Sequence, residues 1–173
     1  MIKKLSVLCL SLLVMSACVS SSITKLSETS GSLTYSQASQ LDPELITNIN
    51  TLAFYLQDDG IDQNQFISSL SIYLALAMTS HGTDGTSAQQ FKALLNPQNA
   101  DETTWLEAIK ALQGNLNAME KVKISLSNSL WIRDSFASEV KADFLKRNQD
   151  YFGAMIASVD FDQPSVSWAR RCV

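Results

Sequence analysis

From Asp42 onward the apolar positions fall into runs whose period can be read directly. Asp42-Pro43-Glu44 opens a helix: Asp supplies the N-cap, Pro suits the first helical position, and Glu favours the positive end of the dipole. Leu45, Ile49, Leu52 and Leu56 then follow at spacings of four, three and four, one apolar stripe, and Asp58-Asp59-Gly60 closes the run. From Leu70 to Met78 the residues are LSIYLALAM, with only Ser71 interrupting. Apolar side chains then point in nearly every direction, so this helix is predicted to be buried all round; at nine residues it is far too short to span a bilayer. Gly82 is placed to close it in the left-handed conformation. Thr86-Ser87-Ala88-Gln89 reads as a capping box for the next helix, with Ala88, Phe91 and Leu95 inside and Asn96-Pro97 as its stop. Trp105, Ile109, Leu112, Leu116 and Met119 predict a longer helix from about Glu102 to Met119, weakened at Gly114.

The period then changes to two. In KVKISLSNSLWI, Val122, Ile124, Leu126, Leu130 and Ile132 share one face, and Lys123, Ser125, Ser127, Ser129 and Trp131 the other. This predicts one long strand. Asn128 falls on the buried face, where its amide requires hydrogen-bond partners. Ser138 can cap a further helix in which Val140 and Phe144 share a face, and AMIASVDF, Ala154 to Phe161, reads as a second strand. Helices followed by sheet pieces mean an α+β class. Two strands do not make an independently stable sheet, so more of it is expected elsewhere.

The ends of the chain carry a different pattern. Lys3 and Lys4 precede the apolar run LSVLCLSLLVM, the layout of an export signal. Met15-Ser16-Ala17-Cys18 resembles the lipobox of bacterial lipoproteins, which implies cleavage before Cys18 and a diacylglycerol on its thiol. Residues 18–41, rich in Ser, Thr and Gln, read as a polar tether. Val19, rather than an aspartate, leans towards the outer membrane or cell surface. Without the lipid, the same residues would be an ordinary signal peptide.

Composition narrows the functions. The 173 residues are 46% hydrophobic, enough for one core. The formal net charge is −4, and two of the lysines lie in the leader, so residues 18–173 are more acidic still. With no Lys/Arg cluster, a nucleic-acid partner is not expected. Three cysteines, Cys9, Cys18 and Cys172, make no disulfide framework. His81 is the sole histidine; with Asp84 and nearby serines it could suggest a hydrolase, but a histidine in a helix-ending turn is expected at the surface. There is no G-x-S-x-G and no His/Cys metal spacing, and HGTDG follows a helix rather than a strand. Neither an enzyme nor a cofactor or metal is expected.

Three stretches in order resemble the N-terminal portion of the serpin (serine protease inhibitor) family. They are NINTLAFYL, NQFISSLSIYLALAMTSHGTDGTSAQQFKALL, and LSNSLWI with the later YFGAMIASVDF, together spanning roughly residues 44 to 165. Ser69 stands where that family usually has proline. The resemblance implies a partial serpin domain over 42–165, with 1–17 as leader, 18–41 as tether and 166–173 as a tail without a match. It implies that LSIYLALAM lies beneath a large sheet, and that Ser68, Ser71 and Asn128 match the polar group called the shutter. It implies, for the full-length form, suicide inhibition of serine (or cysteine) endopeptidases through a reactive loop near the C-terminus. This sequence stops short of that loop, so the expectation is a truncated, non-inhibitory form, by frameshift, by premature stop or as part of a longer sequence. Its unpaired strand edge would make it aggregation-prone. From another class, the alternative is a lipid-anchored, non-inhibitory binding or structural module.

Overall fold

The computed structural model describes residues 24–26, 41–57 and 64–162. In chain order they form strand β1 (Thr24–Lys25), helices α1 (Pro43–Leu56), α2 (Ser69–Ser80), α3 (Gly85–Leu95) and α4 (Glu102–Asn117), strand β2 (Ser129–Arg133), a 3-10 turn (Asp134–Glu139), helix α5 (Ala142–Phe152) and strand β3 (Met155–Val159). The class is α+β, as the order of periods implies. None of the described helices is long and apolar enough to cross a membrane.

Helix α1 forms as its cap dictates: Asp42 Oδ1 accepts from Glu44 N at 2.9 Å and Leu45 N at 3.4 Å, and Leu45, Ile49 and Leu52 are buried. Their stripe packs on α2, whose Tyr73, Leu74, Ala77 and Met78 are buried in turn. Helix α2 is not buried all round. Ser71, Ala75 and Thr79 form an exposed strip, with Ile72 and Leu76 half-buried beside it, because none of the described elements covers that flank. Uniform apolarity therefore misstated the depth of this helix while locating it correctly. Helix α4 buries Trp105, Ile109 and Leu112 of the expected stripe and leaves Met119 exposed beyond its end.

The turns differ from expectation in three places. Gly82 does not adopt positive φ; α2 ends instead on turns in which Gly82 N donates to Thr79 O and Thr83 N to Ser80 O. Positive φ falls at Gly85 and Gly153. What Gly82 supplies is room: a Cβ there would sit 3.1 Å from Cε2 of Phe144. Asp84, not Thr86, caps α3, because the helix begins two residues earlier than the capping-box reading places it. Ser138 lies within the 3-10 turn, and α5 starts after Lys141 with no side-chain cap. Its far end closes at Gly153, φ 60°, where Gly153 N donates to Gln149 O and Ala154 N to Asn148 O.

The sheet has three strands in the order β1-β3-β2. β2 pairs in parallel with β3, Ser129 opposite Met155 through Arg133 opposite Val159. β1 pairs antiparallel on the other side, with Thr24 opposite Ser158. Thus three residues from the stretch read as a polar tether, Thr24 to Leu26, join the sheet, and Leu26 N donates to Ile156 O at 3.1 Å. The predicted long strand is short. Its alternation survives, since Ile132 is buried and Ser129 and Trp131 are exposed, but residues 121–128 run without ladder pairing and Val122 is exposed. Period-two alternation shows which face is apolar; it does not supply the partner strand that makes a ladder. In β3, by contrast, Ile156, Ala157, Ser158 and Val159 are all buried, as in a strand covered on both faces.

Candidate functional site

Two polar groups are set into this core. The first lies where α4, α5 and the start of β2 meet. Asn128 is half-buried, and its Nδ2 donates to Phe152 O at 2.8 Å and to Gln113 Oε1 at 3.2 Å; its carbonyl accepts from Met155 N at 3.0 Å. Gln113 has no exposed surface, and its Nε2 reaches Tyr151 O at 2.9 Å. Two side-chain amides thus satisfy the last carbonyls of α5, groups that have no partner within the helix. The amide at position 128 finds the partners that burial demands. Gln113 is missing from the sequence reading, though it lies four residues after Ile109 on the same buried stripe.

Ser68 and Ser71 are brought together elsewhere. Their hydroxyls are 2.8 Å apart, and Ser71 N donates to Ser68 Oγ at 3.3 Å, so Ser68 is the N-cap of α2. Both are exposed, and no hydrogen bond joins either to Asn128 among the described residues. Cys18 lies outside the described residues.

The second group centres on His81, and here the surface expectation is overturned. Only 3% of the His81 side chain is accessible. The ring sits between Trp105 and Phe152, each 6.0 Å away between centroids. Its Nδ1 is 3.3 Å from Glu102 Oε1, which also accepts from Arg147 Nη1. Three elements therefore converge on one carboxylate: the turn after α2, the first turn of α4, and α5. His81 Nε2 is buried without a hydrogen-bond partner. Burial holds the imidazole below its usual pKa; the Glu102 carboxylate opposes this and the Arg147 cation adds to it. Among the described residues no hydroxyl is hydrogen-bonded to His81 Nε2. Asp84 is occupied as the cap of α3, and Ser80 Oγ donates to Ala77 O. No group of three or more metal-ligating side chains occurs among the described residues.

Beside His81, Tyr73 forms a buried polar relay. Its hydroxyl donates to Leu95 O at 2.5 Å and accepts from Trp105 Nε1 at 2.9 Å. With no exposed surface, the phenol is pushed up to about 12, burial outweighing the Trp105 hydrogen bond.

The family model described as "Serpin (serine protease inhibitor)" matches residues 50–171. Human neuroserpin is 28% identical over 109 residues, covering 62% of this chain and 26% of that protein. An equine leukocyte elastase inhibitor is 40% identical over 101 residues, covering 58% and 26%. An uncharacterized serpin-like protein of Methanosarcina acetivorans is 24% identical over 131 residues, covering 74% and 30%. The chain spans between a quarter and a third of the length of these curated relatives.

Proposed function

The chain belongs to the serpin family, and on that premise we propose that the full-length protein inhibits serine, or cysteine, endopeptidases as a suicide substrate, whereas residues 1–173 alone do not. The observation that carries this is the family match over residues 50–171. In such an inhibitor the protease cleaves a bait loop and is held as an acyl-enzyme, and the loop then enters the large sheet as an added strand. The residues described here would supply the base on which that sheet rests. Ser68, Ser71 and Asn128 would be the hydroxyl and amide groups whose hydrogen bonds exchange as strands part.

The test is incubation with a panel of serine proteases, read as a covalent complex that survives denaturant. An elastase-type enzyme is the natural first member, after the name of one relative. The 173-residue chain should form no such complex, and a chain extended to the length of its relatives should form one. Trapping by the short chain would overturn its non-inhibitory status; cleavage of the long chain without trapping would overturn inhibition.

Lys3, Lys4, the apolar run behind them and Cys18 further support a lipid anchor in the cell envelope. Cys18→Ser should shift the protein from the membrane to the soluble fraction; unchanged partitioning would end that reading.

A further inference from the structure

Between the turn after α2, helix α3 and the N-terminal part of α4 lies a cleft of about 350 Å³, closed on one side by α5. Its size falls at the small end of ligand sites, which run roughly 300–1,000 Å³. Phe91 and Trp105 form apolar walls. The indole is not free to swing, because its N–H is held by Tyr73. Lys92, Glu102, Arg147 and His81 complete the charged and titratable lining.

Charge selects the ligand. Glu102 is already shared between Arg147 and His81. Lys92, across on α3, has no ion-pair partner among the described residues. Arg147 retains N–H groups beyond the one given to Glu102, since a guanidinium carries five donors. With His81 neutral, two cations face one carboxylate, so the cleft is locally positive on a chain whose formal net charge is −4. A monoanion brings this lining to neutrality, while a dianion would leave it net negative. The aromatic walls favour a ligand with a flat apolar body.

We propose that this cleft binds a small aromatic carboxylate, its anionic end paired with Lys92 and Arg147 and its ring against Phe91 and Trp105. The site is independent of the inhibitor reading, because it needs no reactive loop.

His81 is the sole histidine, so its Hε1 proton is a self-assigned NMR reporter inside the cleft lining. Sodium benzoate titrated into the full 173-residue chain should move that resonance saturably and perturb tryptophan fluorescence. Neutral benzamide should bind about tenfold more weakly or worse, the loss expected for one charge-assisted hydrogen bond. Lys92→Gln, a change at an exposed position, should weaken benzoate by a similar factor and leave the His81 resonance of the free protein in place. Added salt should weaken binding as well. No saturable shift at tens of millimolar benzoate would overturn the proposal. So would equal binding of benzamide, benzoate affinity unchanged in Lys92→Gln, or inorganic phosphate binding as well as benzoate.

Discussion

Tyr73→Phe removes a single oxygen from the centre of the molecule, and the structure says what that oxygen does. It satisfies Leu95 O, at the end of α3, and Trp105 Nε1, on α4. Both residues are buried, so water cannot replace it. A buried donor or acceptor left unpaired costs about 1–3 kcal/mol, which for the two orphaned groups puts the variant about 2–6 kcal/mol below wild type. For a domain of this size 1 kcal/mol moves the thermal midpoint by roughly 2–4 °C. Urea unfolding gives the free energy directly. A double-mutant cycle with Trp105→Phe isolates the shared bond, because the second change removes the orphaned indole N–H; the two losses should be less than additive. A second signature is the pH dependence. The folded pKa, at about 12, lies above the phenol's ordinary value of 10, so the neutral form is favoured by folding. That contribution is fully present below pH 10 and is lost as pH rises towards 12, about 2–3 kcal/mol at one pKa unit per 1.36 kcal/mol. Wild type should lose this increment relative to Tyr73→Phe over that window. A change in unfolding free energy below about 0.5 kcal/mol, with parallel alkaline profiles, would refute the account of Tyr73 as a fully desolvated relay.

Other expectations follow from the same geometry. Asn128→Leu leaves Gln113 Oε1 and Phe152 O without their donor and should cost about 2–4 kcal/mol in urea unfolding, more than an exposed Asn change. Gly82→Ala pushes a Cβ against Phe144 and should cost about 1 kcal/mol, recovered in a Gly82→Ala, Phe144→Leu double variant; Gly85→Ala should cost a similar amount through its positive φ alone, with no such rescue. The folded His81 pKa is depressed, so the unfolded chain takes up the proton first. Stability should be full above the ordinary histidine pKa of about 6.5 and decline as pH falls below it, a slope that thermal melts should find absent in His81→Gln.

How far the sequence could be read depended on whether a feature is local. The Asp42 cap, the stripes of α1 and α4, and the inward face of β2 each follow from neighbours a few residues away, and each holds in the structure. Residues 121–128 show the boundary of that logic, because pairing depends on a strand that alternation cannot provide. The burial of His81 was legible but missed. It lies four residues after Ala77 and seven after Leu74, both buried, so it continues the inner face of α2 into the turn. The link from Tyr73 to Trp105 spans 32 residues, and the Arg147–Glu102 pair 45. No local period reports contacts of that kind. The order of periods gave the α+β class; the serpin resemblance added the family, and the match over residues 50–171 bears it out.

β3, the last of the described elements, is also the middle of the sheet. A ribosome releases β1 first and β2 much later, yet among the described residues each pairs with β3 alone and has no partner until Met155–Val159 has emerged. The helices can close on themselves during that interval, but the strand edges must wait, with Trp131 and Phe136 exposed beside one of them. Synthesis of this chain therefore carries a built-in delay, during which a chaperone or a neighbouring nascent chain can reach the sheet before its own centre does.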